Sequence, residues 1–477
     1  MLVEPLSNSS RPVASRSETV LAVALVVAAL AFAWARSVQT PAVDFFTKWS
    51  VAREIAASGG ANAYSAEERQ RIGTDLAREF HSPATLERHK MATAIVLSEN
   101  RGEMEVAASP FLYASMVVFG LSDYETSYLL FALVSLLALV AAILLLCRHL
   151  LVPFHWTLVL LTIVASQFEP LSSDVRVGNI NQLHLAAVVG ASLLVSPGRR
   201  HLASFAAGTL LGFAAALKPN VLLVPVFLLV GLWLDGRRAS AAAFLAGLLA
   251  STAAAFAGAA AFFGGWKCWL AWRDVLPTLL TARYGVAQGN FGLAALVHQA
   301  VGVDVSAVIL LLLLFLLASA LWRSRRNPAG TPAGSESGRA GLLLAGLGCA
   351  FMILSGPYVW IHYFVLALPL GAYVFFRPDF GLPRTAGFVA FGLLLVSTTL
   401  VQTVAPEAFV LQALLLDLPV LVIAGLGLRD LARRAQPAPS RPQDPGSRPP
   451  GLCYVPRENE AVSGGIREQY TIRDLTP

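Results

Sequence analysis

"ETSYLLFALVSLLALVAAILLLC", residues 125–147, carries no charge after its leading glutamate and stops against Arg148. As a single helix, a run of this length crosses a hydrocarbon core of roughly 30 Å with all its backbone polar groups paired internally. Eleven other apolar runs share its character, at 19–35, 154–170, 180–196, 202–217, 220–235, 239–264, 303–322, 340–355, 358–376, 385–404 and 408–428. The composition agrees, with 56% hydrophobic and only 13% charged residues in a chain of 477, about half the charged fraction of a soluble protein. The runs are long and continuous rather than short and alternating, which argues against a β-barrel. The expected fold class is an all-α polytopic membrane protein of about twelve crossings.

The net charge of +6 does not point to nucleic acid, because the basic residues cluster in short loops between apolar runs and so report topology. With the N-terminal segment 1–18 in the cytoplasm, the basic stretches at 147–150, 198–201, 235–238, 322–327, 377–384 and 429–434 all fall inside. Thr19–Ala35 is then an uncleaved signal-anchor helix, and 19–428 is the transmembrane domain. The segments 37–108, 171–179, 218–220, 265–302 and 355–358 fall outside, so Arg176 and Lys218 break the charge rule that the other loops obey. "SPFLYASMVVFG" (109–120) is too short to cross and is expected to be re-entrant or half-spanning. The tail 429–477, rich in Pro, Ser and Gly, is expected to be cytoplasmic and disordered. The four cysteines have neither metal-ligand nor disulfide spacing, and no repeat of fixed period is visible.

Within 37–108, "DFFTKWSVAREIAASGG" reads as an amphipathic interfacial helix anchored by Trp49, and "AEERQRIGTDLAREF" as a second helix. "AIVLSENRGEMEVA" has a turn-like centre between two β-prone runs, so a hairpin is expected there.

Several polar residues stand where an apolar chain has little reason to keep them. "DVRVGNINQLH" (174–184) leads Arg176, Asn179, Asn181 and Gln182 into an apolar helix. Polar groups at that depth face a cavity or one another; the structural alternative is helix capping and interhelical hydrogen bonding. "GTLLGFAAALKPN" (208–220) ends a small-residue helix on Lys218 and Pro219, a cation available to a phosphate or one snorkelling to the interface. "SGPYVWIHY" (355–363) sets His362 about one turn inside a span, with Tyr358 and Trp360 beside it as belt aromatics or site residues. "YGVAQGNFG" (284–292) is a glycine-rich loop with Asn290 that matches no phosphate-loop pattern. Asp44 follows the first run, beside Phe45 and Phe46, either to cap the next helix or to act as a general base.

Taken together, Asp44–Phe45, "NAY" (62–64), "SPF" (109–111), "GNINQ" (178–182), the "GTLLGFAAALKPN" helix, "GNFG" (289–292) and "SGPYVWIHY" resemble glycosyltransferase family 87 of the GT-C superfamily, over about 44–365. That family uses polyprenyl-phosphate mannose. The resemblance implies a GT-C bundle at the plasma membrane, with its active site on the non-cytoplasmic side. It implies an inverting transfer of a hexose, with mannose as the sugar, from a polyprenyl phosphate to a lipid or glycan acceptor. Asp44 would be the base, Lys218 and Arg176 the counter-charge to the phosphate, and His362 an orienting group. Asn179, Asn181 and Asn290 would meet sugar hydroxyls, with Trp360 in the substrate-binding set, and no metal or cofactor is implied. The rivals are a GT-C enzyme for another lipid-linked sugar and a transporter. A transporter would show charged or broken helices at mid-membrane and repeated halves.

Overall fold

The uncharged run becomes a helix of 26 residues, Tyr124–His149, because both of its ends are chemically marked. The Asp123 carboxylate accepts from the Thr126 N–H at the start, and Arg148 and His149 lie in the last turn, where the helix dipole favours cations. The computed structural model describes residues 16–58, 63–100, 102–119, 123–281, 285–326, 337–376 and 382–433. The expected disordered tail beyond residue 433 and most of the expected N-terminal segment lie outside the described residues.

The order begins with α1 (Arg16–Val38), then α2 (Val43–Ser58), α3 (Ala66–Phe80), α4 (Glu87–Glu99) and the seven-residue α5 (Pro110–Met116). The Tyr124–His149 helix is α6, followed by α7 (Phe154–Gln167), α8 (Glu169–Val177), α9 (Asn181–Leu194), α10 (His201–Leu217), α11 (Leu223–Leu234) and α12 (Arg238–Phe262). The rest are α13 (Lys267–Thr281), α14 (Leu293–Val301), α15 (Ser306–Arg326), α16 (Ser337–Ser355), α17 (Leu368–Phe376), α18 (Leu382–Val404) and α19 (Phe409–Arg433). Short 3-10 turns occupy Pro219–Val221, Val286–Gln288 and Ile361–Ala367. The described residues hold no strand, only an isolated bridge between Asn290 and Trp360.

All twelve apolar runs are helical, but they are not equal. Six helices (α1, α6, α12, α15, α18 and α19) are long and apolar enough to cross a membrane alone. The pair α7–α8, bent by 57°, makes a seventh if it counts as one span. The other five runs give apolar helices of only 10–17 residues: Asn181–Leu194, His201–Leu217, Pro219–Leu234, Ala340–Ser355 and Ile361–Phe376. At 1.5 Å per residue these reach about 15–25 Å, short of the hydrocarbon thickness. Each of the five starts or stops beside one of the polar motifs, at Asn179–Asn181, Lys218–Pro219 or Gly356–His362. The polar residues shorten the helices.

Two apolar cores form. The larger, built on residues such as Leu139, Val188, Leu347 and Phe364, fills the bundle. The smaller joins α2–α5 to one end of α6 and of α12 through Phe45, Trp49, Leu76, Tyr113 and Tyr124. Two expectations for the first outer loop fail here. Trp49 is only 2% exposed, boxed in by Phe46, His89 and Tyr124 with Arg53 over its ring, so it is a core residue and not an interfacial anchor. The expected hairpin is instead α4 with an extended exit, because Ala92, Thr93 and Val96 bury a helical stripe.

Helices α10 and α12 pack almost backbone to backbone. A methyl group on Gly208 would overlap the Phe244 carbonyl, and one on Gly247 the Phe205 carbonyl. This close approach sets how α10, which ends ahead of Lys218, lies against α12. Gly208→Val is expected to destabilise the protein by about 3 kcal/mol through overpacking. Gly258→Ala, which meets nothing within 4 Å, should not lower the thermal unfolding temperature in detergent, because alanine is the better helix former.

Candidate active site

Asp44 enters through a strained turn. Ala42, fully buried, has a φ of 51°, a left-handed conformation that costs a residue with a Cβ free energy. The Tyr124 hydroxyl holds the turn by donating to the Pro41 carbonyl, and the Phe46 N–H donates to the Ala42 carbonyl at 2.9 Å. Gly178, itself left-handed at φ 70°, lies against this turn so closely that an added Cβ would sit 2.7 Å from the Phe45 Cβ. The turn aims Asp44 at residue 179. Among the described residues no backbone N–H donates to the Asp44 carboxylate. Its partners are the Asn179 side-chain amide and, 3.6 Å away, the Lys48 ammonium, so the capping alternative falls away.

Asn179 is the hub. Its Oδ1 accepts from the Ile180 N–H at 2.8 Å and from Lys218 Nζ at 3.2 Å. That fixes which way the amide faces, because two donors must meet the oxygen. Nδ2 is then left to donate to Asp44 Oδ2 and to approach His362 Nε2 at 3.2 Å. In this orientation His362 Nε2 accepts, and its imidazole is neutral. Asn179, 2% exposed, and His362, 6% exposed, are buried, whereas 39% of the Asp44 side chain is accessible. The carboxylate therefore lies in a partly accessible recess. Burial alone would raise its pKa. The charges of Lys48 and Lys218 and the Asn179 hydrogen bond overcome that and hold the carboxyl below the usual aspartate range.

Lys218 takes its place where α10 stops, extended at φ −156° ahead of Pro219. The Ser109 hydroxyl, which caps α5, also lies 2.7 Å from the Ala216 carbonyl and 3.0 Å from that of Leu217, so "SPF" grips the end of α10. The Lys218 ammonium lies 4.2 Å from the centre of the Tyr363 ring, a cation–π contact. Asn181, fully buried, forms a layer behind. It donates to Asp174 Oδ1 at 2.8 Å and to the His362 carbonyl at 3.3 Å, and accepts from Asn220 at 3.1 Å.

Asp44, Asn179, Lys218 and His362 thus meet, and Asn181 supports them. Arg176 stands apart on an exposed face, 3.8 Å from Glu169. Asn290 spends its amide on backbone, donating to the Pro357 carbonyl at 2.8 Å and accepting from the Val359 N–H at 2.9 Å, so it straps the segment that carries His362. Trp360, half-buried, is its bridge partner. Lys48, Asp174, Asn220 and Tyr363 complete the cluster without having been singled out. Lys48 was within reach of sequence reasoning, because it lies one helical turn after Asp44.

The model for glycosyltransferase family 87 matches residues 109–346, a stretch that holds Asn179, Asn181 and Lys218. No curated protein and no solved structure gives a match. The weight on Asn179 can be measured directly. Asn179→Asp sets a second carboxylate against Asp44, and like charges this close share a proton with a raised apparent pKa. Carbodiimide labelling of Asp44, read by mass spectrometry, should then extend to higher pH than in the wild type.

Proposed function

Residues 109–346 belong to glycosyltransferase family 87, which makes the chain a glycosyltransferase, and on that footing we propose that it transfers a hexose, with mannose as the sugar, from a polyprenyl phosphate to a lipid or glycan hydroxyl. The observation that carries the reading is the meeting of the Asp44 carboxylate and the Lys218 ammonium on Asn179. A transfer to a hydroxyl needs a group to take its proton, and a phosphate leaving group needs compensating positive charge.

Asp44 accepts the acceptor's proton as the hydroxyl oxygen attacks the anomeric carbon. The bond from that carbon to the phosphate oxygen breaks, its electron pair leaves with the polyprenyl phosphate, and the configuration inverts. Lys218 stands ready for the phosphate, and His362, neutral and held by Asn179, orients a substrate hydroxyl. Asn181 and Asn290 act by shaping the segments that carry Asn179 and His362, Trp360 borders the sugar, and Arg176 draws the anionic donor toward the recess from the rim.

Sidedness supports the same reading. With a cytoplasmic N-terminus, the twelve-run count sends the segments bearing residues 44, 179, 218 and 362 to one non-cytoplasmic face, and residues that share a face are able to meet. A donor carried on lipid suits that face at the plasma membrane, where nucleotide sugars are not made.

In lipid nanodiscs, purified protein given a panel of polyprenyl-phosphate sugars should transfer from the mannose donor. Asp44→Asn should lower kcat by roughly 10²–10⁴-fold, the usual worth of a general base, with folding intact by size-exclusion profile. Lys218→Ala should raise the donor KM by about tenfold or more. Undiminished turnover in Asp44→Asn removes Asp44 from the chemistry.

A further inference from the structure

Lys48 belongs to the cluster but has no part in the mechanism so far. Its ammonium donates to the Asp44 backbone carbonyl at 2.8 Å and lies 3.6 Å from the Asp44 carboxylate. An ammonium has three N–H donors, and among the described residues all of Lys48's hydrogen-bond partners belong to one residue, Asp44. Lys218 is in the same condition, with Asn179 as its one acceptor. Both lysines are close enough for the charge of Lys218 to act on Lys48. Burial, with Lys218 adding to it, pulls Lys48 below the ordinary lysine range, while Asp44 and Glu105 pull it back.

We propose that Lys48 follows the negative charge across the site, pairing with Asp44 before reaction and with the leaving phosphate after it. The inference rests on the polyprenyl-phosphate reading given above. Its logic is charge conservation. Before reaction Asp44 carries a full negative charge and the donor, a phosphodiester, carries one more. When the acceptor's proton reaches Asp44, the carboxyl becomes neutral and Lys48 loses its partner. At the same time cleavage turns the phosphodiester into a monoester, whose charge rises toward two. One negative charge has moved from Asp44 to the phosphate, and a lysine on a flexible four-carbon stem can move with it. Lys218, fixed on Asn179 and Tyr363, matches the charge the donor brings. Lys48 matches the charge that appears only during bond cleavage. An interaction that strengthens on the way to the transition state lowers the barrier, whereas one made equally in the ground state does not.

The two lysines should therefore separate kinetically. Lys48→Gln is expected to lower kcat by about a hundredfold with donor KM nearly unchanged, where Lys218→Ala acts mainly on KM. Binding of polyprenyl phosphate, the product, gives the decisive cycle. Asp44→Asn mimics the protonated carboxyl and frees Lys48, so it should tighten product binding about tenfold, and that gain should vanish when Lys48→Gln is added. A gain of equal size in both backgrounds overturns the proposal while leaving the donor assignment standing. Wild-type protein that does not bind polyprenyl phosphate overturns the donor assignment itself. If Lys48→Gln does not fold, Lys48→Met takes its place, with loss of the Asp44→Asn gain supporting the proposal and an undiminished gain overturning it.

Discussion

One side-chain amide ties the functional region together. Asn179 draws a carboxylate from α2, an imidazole from the turn after α16 and an ammonium from the end of α10 onto a single planar group. Its two donors and its acceptor are all engaged, so none can move without leaving another unpaired in a buried setting, at a cost of about 1–3 kcal/mol per orphaned group. Asn181 repeats the device one layer down, binding Asp174, Asn220 and the His362 backbone. Two asparagines two residues apart therefore hold a site whose other members come from four regions of the chain.

The bundle accommodates this polarity by giving up helix. An unbroken crossing satisfies its own backbone, and each interruption exposes groups that need partners. Here the partners are provided. Ser109 reaches the last carbonyls of α10, Asn290 takes up the backbone on either side of Tyr358, and Gly178 closes α8 with a left-handed cap. These interruptions gather between the two apolar cores, with Phe45, Ile180 and Leu217 in or against the smaller and Val221 and Ile361 in the larger.

Much of this was legible in the sequence because the physical signals were local. Uncharged runs mark helices whatever they pack against, and all twelve formed. "GNIN", "LKPN" and "YVWIH" stood out because polar groups inside apolar runs demand a reason. What escaped depended on partners distant in the chain. Trp49 reads as an interfacial anchor until Phe46, His89 and Tyr124 enclose it. The segment after Glu87 carries β-prone residues, yet its buried stripe has helical spacing, and packing overrode propensity. Asn290 looks like a sugar-binding side chain until its amide is seen engaged by residues 357 and 359. Of the twelve runs, six form helices long enough to cross alone and a bent pair makes a seventh, since hydropathy does not register where a helix is cut short.

The partners of Asn179 lie 135, 39 and 183 residues away from it in the chain. During synthesis, α2 leaves the ribosome long before the segment carrying His362 exists. A nascent chain can thread most of its apolar helices into the bilayer while Asp44 still lacks the imidazole that it meets on Asn179. Maturation is therefore set by the last long-range closure, not by the first insertion. A polypeptide that stalls short of residue 362 would reach the membrane with Asn179 still missing one of its partners.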